Sequence, residues 1–143
     1  MLNATLVILM LLLLSITIYL AFESITEKHS EEDPILRDVK ATLEPFLLQN
    51  NIDVLSKIKL MKGDKSFTIN KQKVYLCLKD KKTGSYYNKN ILIYVLLHEL
   101  SHVLCDEVGH TEKFSSIFEN LLTKAKMQHI YDPRIQVSDD YCS

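Results

Sequence analysis

Asn90-Ile91-Leu92-Ile93-Tyr94-Val95-Leu96-Leu97-His98-Glu99-Leu100-Ser101-His102 is the stretch on which the reading of this chain turns. Residues 90–97 run without Gly or Pro and with few polar groups, so they predict a mostly buried helix. That helix leads straight into His98 and His102, spaced i, i+4. On a helix the two imidazoles project from one face and can grip one metal ion. Glu99 stands beside the first, placed to take a proton from a water that the metal has acidified. The bland alternative is a pair of ordinary core or surface histidines. The apolar helix argues against it, because two imidazoles and a carboxylate at its end are costly to bury without an ion or hydrogen bonds.

Zinc in hydrolases takes three protein ligands and keeps a fourth position open. The residues after His102 offer His110, Glu107, Asp106 and Glu112 for the third. His110 is preferred: it follows Gly109, where a chain reversal can bring it back over the motif helix, and a neutral imidazole suits zinc better than another carboxylate beside Glu99. Cys105 lies three residues past His102 and could approach the metal, but it reads more simply as a small buried residue. Asp106 or Glu107 could orient an imidazole from behind. Tyr87, Tyr94 and Tyr131 are candidate phenols for assisting the oxyanion, and nothing in the sequence chooses among them.

At 143 residues and a net charge of −1, there is room for one domain of ordinary globular composition apart from the N-terminus. Met1 to Phe22 carries no charged side chain, and Leu6 to Leu14 is unbroken aliphatic but for one methionine. About 21 helical residues at 1.5 Å each cover about 31 Å, enough to cross a bilayer. A cleaved signal would show a basic start, a shorter apolar run and a small-residue cleavage site. None is evident, so residues 1–22 are expected to be a retained single-pass anchor, 23–33 a polar linker and 34–143 the domain. Lys28, Arg37 and Lys40 lie after the span and no basic residue precedes it, which weakly favours a cytosolic domain.

Asp33-Pro34 reads as an N-cap and first helical position. It opens an amphipathic helix to about Gln49, which Pro45 should kink or shorten. Ile52, Val54, Ile58, Leu60, Phe67, Ile69, Val74, Leu76 and Leu78 then alternate with polar residues, predicting two or three antiparallel strands. Gly63-Asp64 and Asn70-Lys71-Gln72 are the turns, and Thr83-Gly84-Ser85 closes the sheet. Asn88 or Asn90 caps the motif helix, which should end near Cys105-Asp106. Thr111 caps a second helix with Phe114, Ile117, Phe118, Leu121, Leu122 and Ala125 on one stripe. The tail from Met127 should lie irregularly against the domain. Three cysteines, Cys77, Cys105 and Cys142, do not make a disulfide framework, and the odd number leaves at least one free thiol or an intermolecular bond.

Residues 51–90 hold ten lysines against three aspartates. Lys57, Lys59, Lys71 and Lys73 alternate with apolar residues and so belong on the outer face of the sheet. That face is either simply solvated or a patch for anionic headgroups, acidic protein or nucleic acid.

His98-Glu99-Leu100-Ser101-His102 followed by Gly109-His110-Thr111-Glu112-Lys113-Phe114 resembles the HExxH…H-x-x-x-F signature of the WLM and SprT-like zinc metallopeptidases. The block from Lys73-Val74-Tyr75-Leu76-Cys77-Leu78-Lys79-Asp80 through Tyr131-Asp132-Pro133 is similar to small WLM-like proteins of large DNA viruses. The resemblance covers about residues 55–143. It implies a small sheet ahead of the motif helix, then a helix carrying the third histidine. It also implies His98, His102 and His110 as Zn2+ ligands and Glu99 as general base. The seven-residue gap between His102 and His110 is longer than in compact bacterial members. The nucleic-acid-binding tails of eukaryotic members, which act on protein crosslinked to DNA, are missing.

The sequence therefore predicts an α+β zincin-like domain behind a transmembrane helix, acting as a zinc metallopeptidase on protein or peptide. Nucleic acid is not an expected partner, and the oligomeric state is left open. Two rivals are a non-catalytic membrane protein with a structural zinc site, closed by a fourth ligand, and a basic module bound through its lysines.

Overall fold

The structure, a computed structural model, describes residues 3–31 and 33–142; Met1, Leu2, Glu32 and Ser143, which belong to the expected anchor, linker and domain ends, lie outside the described residues. The chain is α+β. Helix α1 (Ala4–Glu31) is succeeded by α2 (Pro34–Gln49), strands β1 (Lys59–Lys62), β2 (Phe67–Ile69) and β3 (Lys73–Leu76), then α3 (Lys89–Leu104) and α4 (Glu112–Met127).

α1 is apolar enough to cross a membrane over Ala4–Thr26, and none of that window is buried against protein. A signal sequence or a buried core helix passes the same test of length and composition, though this helix is exposed. Residues 23–31, read as a linker, continue the helix instead. They do so because the helix finds the sheet: α1 packs across β1, and Glu23 pairs with Lys73 of β3 at 3.7 Å. Met61 of β1 points toward that side and is 1% exposed.

α2 begins as its sequence predicts, with the Asp33 carboxylate accepting from Ile35 N and proline in the first turn. Pro45 does not shorten it. The ring falls in the last turns, while Phe46 and Leu47 beyond it are both 1% exposed, and burying them favours carrying the helix to Gln49.

The sheet has the order β1-β3-β2. β2 and β3 are antiparallel, joined by a three-residue loop, Asn70-Lys71-Gln72, in which Asn70 and Lys71 are both at positive φ and Gln72 N donates to Ile69 O at 3.0 Å. β1 and β3 are parallel, which corrects the expectation of an all-antiparallel sheet. The chain leaving β1 does not fold back beside it. It arches over the end of β3 and enters β2 on the far side, so β3 lies between them. Gly63 makes the crossing, since a Cβ there would lie 3.1 Å from that of Tyr75 and 3.0 Å from Lys65 O. Alternation has the same period in either pairing, so it carries no sign of direction.

α3 lies on the inner face of the sheet and contacts β2, β3, α2 and α4. Leu92, Leu96, Leu97 and Leu100 of α3 meet Val39, Leu43 and Phe46 of α2, Leu60, Val74 and Leu76 of the sheet, and Leu121 and Ala125 of α4 in one core. The tail beyond α4 is irregular, as expected, but firmly tied. Tyr141 Oη donates to Cys77 O at 2.6 Å, Tyr87 Oη accepts from Cys142 N at 2.9 Å, and Cys77 and Cys142 form a disulfide. Cys105 is the unpaired, buried thiol.

Candidate metal centre

α3 starts at Asn88, whose side chain accepts from Asn90 N, and stops at Cys105, whose N–H bonds back to Ser101 O. The two spacer residues of the motif turn into the core: Leu100 and Ser101 are both fully buried, and the Ser101 hydroxyl donates to Leu97 O at 2.7 Å. That rotation presents His98 and His102 on the opposite flank, toward the chain that returns from α3.

The return runs through residues 105–110. Lys71 Nζ, from the hairpin, bonds Cys105 O at the C-terminal end of α3, where a positive charge is favoured. Asp106 pairs with Lys113 of α4 at 2.6 Å, which holds its carboxyl below the usual range. Gly109 reverses the chain at φ +85. His110 comes next, one residue ahead of the N-cap Thr111, so it is carried by the loop entering α4 rather than by the helix itself.

The three histidines meet. His110 Nε2 lies 3.1 Å from His98 Nε2 and 3.1 Å from His102 Nε2. Among the described residues these three form a group whose ligand atoms lie within 4.8 Å of one another and could hold a metal ion. Cys105, Asp106, Glu107 and Glu112 are not members of it. Three nitrogens bound tetrahedrally to one zinc at about 2.0–2.1 Å would stand about 3.4 Å apart, close to the spacing found. An imidazole nitrogen can donate one proton to one neighbour, so His110 Nε2 cannot satisfy both of its close partners by hydrogen bonding. A cation can.

Phe114 forms the floor. Its ring stacks on His102 at 4.3 Å and lies 5.0 Å from His98 and 4.8 Å from His110, while Phe118 closes on His98 at 5.1 Å. This apolar setting has an electrostatic effect. Burial, with His102 and His110 close by, holds the His98 imidazole down to about 4. Burial and His110 hold His102 below its ordinary value as well. Both rings are thereby kept neutral, with lone pairs available to a metal.

Glu99 is 6% exposed. Burial pushes its carboxyl up, and a hydrogen bond from Thr68 pulls it partly back. The Thr68 hydroxyl lies 2.8 Å from Glu99 Oε2 and 3.2 Å from the Glu99 carbonyl oxygen. Thr68 is the one residue of β2 that faces α3, while Phe67 and Ile69 face outward, 40% exposed. Nothing in the sequence marked Thr68, because the apolar alternation there points to its neighbours. Glu99, Thr68 and the three histidines line one cleft of about 610 Å³, bounded also by Lys71, Glu107 and Val108.

The three tyrosines separate. Tyr87 packs on Tyr141 and ties down the tail. Tyr94, one turn before His98, packs edge-on against Phe118 and lines a second hollow beside His98 and Glu99 with Tyr141. Tyr131 lies 5.7 Å from Tyr94, its phenol pushed up by burial. Tyr141, which the sequence did not single out, is held by Ser66 and Cys77 and pushed up to about 12 by burial.

The same fold occurs in a solved protein. It is WLM-like. The crystal structure of Wss1 from Saccharomyces cerevisiae superposes with a TM-score of 0.55, covering 66% of this chain and 79% of that one. At 16% identity the likeness is one of fold. No family model matches the chain. By sequence, it is 52% identical over 95 residues to protein 136R of Invertebrate iridescent virus 6, covering 65% of this chain and 53% of that protein. It is 42% identical over 101 residues to protein 042R of Invertebrate iridescent virus 3, covering 71% and 62%. Protein R325 of Acanthamoeba polyphaga mimivirus is 46% identical over 67 residues, covering 46% and 34%. The chain thus spans between a third and three fifths of the length of these viral relatives.

Proposed function

We propose that the chain is a membrane-anchored zinc metallopeptidase. The observation that carries this reading is the meeting of three imidazoles, two of them held neutral by burial, with a buried glutamate in one cleft. His98, His102 and His110 would hold the metal. When bound, zinc supplies a Lewis acid that acidifies a water and polarises a peptide carbonyl. Thr68 occupies Glu99 Oε2, which leaves Oε1 to receive a proton from the attacking water. Burial, by raising the Glu99 carboxyl, makes that proton easier to hold and then to pass to the leaving amine. β2 is an edge strand that pairs only with β3 among the described residues, so its other edge can take an extended peptide in β-fashion past Glu99.

The absence of a fourth His, Cys, Asp or Glu from the cluster, among the described residues, favours an open site over a structural one. α1 supplies the anchor, with protein or peptide as substrate and no role for nucleic acid. Its orientation is set by two opposed features: the basic residues after the span favour a cytosolic domain, whereas a Cys77–Cys142 disulfide persists on an oxidising side. Thiol labelling of intact cells reads which one governs.

The deciding experiment uses the full chain in detergent. Zinc should bind one to one, and an unfolded protein should be hydrolysed. Glu99→Gln should retain zinc and lose about 10²–10⁴-fold in rate. No bound zinc, or a rate unchanged by Glu99→Gln, overturns the reading.

A further inference from the structure

We infer that the hairpin end of the domain rests on the membrane that receives α1, so that the cleft admits the juxtamembrane segments of other membrane proteins. The substrate class rests on the peptidase reading above, and the placement on the membrane rests on the reading of α1 as the anchor together with the geometry of the sheet.

The uncharged stretch of α1 ends just before Glu23, which pairs with Lys73, the first residue of β3. Ten residues on, Asp33 lines a hollow with Lys62, Gly63 and Cys77 at the other ends of β1 and β3. Between these points the chain runs along the strands from their start to their finish, helical through Glu31. The apolar residues before Glu23 therefore project beyond the start of β3, and that end of the domain must face the bilayer.

The groups at that end are suited to a lipid surface. The Asn70-Lys71 hairpin is two residues from Lys73. Lys59 N bonds Gln72 O at 2.8 Å, so the start of β1 and Lys57 before it share this end. Lys57, Lys59, Lys71 and Lys73 thus share this end, with Lys73 held to Glu23 and Lys71 to Cys105 O, and basic side chains close to the lipid surface are favoured beside anionic headgroups. The outward residue of the edge strand here is Ile69, 40% exposed. Lys71 reaches across to Cys105 O, bringing the loop after α3 to the same pole, where Val108 is 92% exposed. An aliphatic residue so exposed, beside Lys71 at the end of the sheet where β3 begins, suits a surface that lies against headgroups. Lys71 and Val108 also bound the cleft that contains Glu99 and the histidines. Its lower rim is therefore at the lipid surface, within reach of chain that has just emerged from a neighbouring span.

The chain contains no tryptophan, so single reporters can be placed. Full-length Val108→Trp and Lys82→Trp, the second in the exposed loop beyond the far end of β3, are reconstituted in phosphatidylcholine–phosphatidylserine vesicles with and without lipids brominated near the headgroup. Emission from Val108→Trp should be blue-shifted and fall by half with brominated lipid, and emission from Lys82→Trp should not change. Equal quenching at both sites, or at neither, overturns the inference, whether or not the protein cleaves anything. Two single-span reporters then carry one unstructured segment, either at the membrane boundary or behind a long Gly/Ser spacer. Faster cutting at the boundary supports the substrate class, and equal or slower cutting there overturns it. If quenching is selective but neither reporter nor any soluble protein is cut, the peptidase reading fails and the substrate class with it, while the membrane-facing surface stands.

Discussion

α1 and α3 are both apolar nearly all round, yet they end in opposite surroundings. Leu92, Leu96, Leu97 and Leu100 of α3 are fully buried, whereas Leu11, Leu12 and Leu13 of α1 are each more than half exposed. A helix without a polar face must be enclosed by something. α3 is enclosed by α2, α4 and the sheet; over Ala4–Thr26, α1 finds no protein to enclose it. The difference lies in the length of each apolar run and in the residues at its C-terminal end. A span of 23 residues over Ala4–Thr26 matches a bilayer, while the apolar run of α3 is shorter and finishes in polar groups that only a folded site can satisfy.

The sharpest way to break this comparison is a charge in each helix. Leu96→Asp should unfold the domain, a loss on the order of 5 kcal/mol or more, seen as loss of the circular-dichroism melting transition. Leu12→Asp should leave that transition in place and weaken membrane insertion by about 2.5–3.5 kcal/mol, read by vesicle flotation. Equal effects of the two on melting would mean that α1 is a core helix after all. Next in size is Phe114→Ala, which removes the floor beneath three imidazoles. It should cost about 3–5 kcal/mol in stability and weaken zinc binding, measured by melting and by competition with a chelator dye.

A smaller effect should come from acid. The folded protein holds His98 down to about 4, against an ordinary value of 6.5. Its neutral form is favoured by folding, so its contribution is complete above 6.5 and lost as pH falls toward 4. The melting temperature of the metal-free chain should therefore drop through that window, and His98→Gln should flatten the drop. The smallest is Thr68→Val, which removes a hydrogen bond worth about 1 kcal/mol. Without it Glu99 rises further, and the acid limb of kcat/KM should move to higher pH with zinc affinity unchanged.

The motif helix, the Gly109 reversal and the Thr111 cap were legible, and the cap of the motif helix was narrowed to Asn88 or Asn90, because each rests on local chemistry that a few neighbouring residues determine. His110 was legible for the same reason, since a reversal seven residues after His102 returns the chain toward the motif. Strand direction was not, because it depends on where the short arch after β1 lands and not on the pattern within a strand. Thr68 was hidden for an opposite reason. The apolar Phe67 and Ile69 suggest an inward pair, but at this edge the inner face belongs to the site, and a hydroxyl is needed where packing alone would favour a hydrocarbon. Pro45 did not shorten α2, because its usual effect on helix length was outweighed by the burial of the residues after it.

The Cys77–Cys142 disulfide closes a covalent ring of chain that contains α3, the returning loop and α4, and with them all three histidines and Glu99. A single cut anywhere inside that ring, including one the protein makes on a copy of itself, leaves both pieces joined. Such a nicked molecule would run at full length on a gel until reductant is added, so migration without reductant says nothing about whether its own loops have been severed.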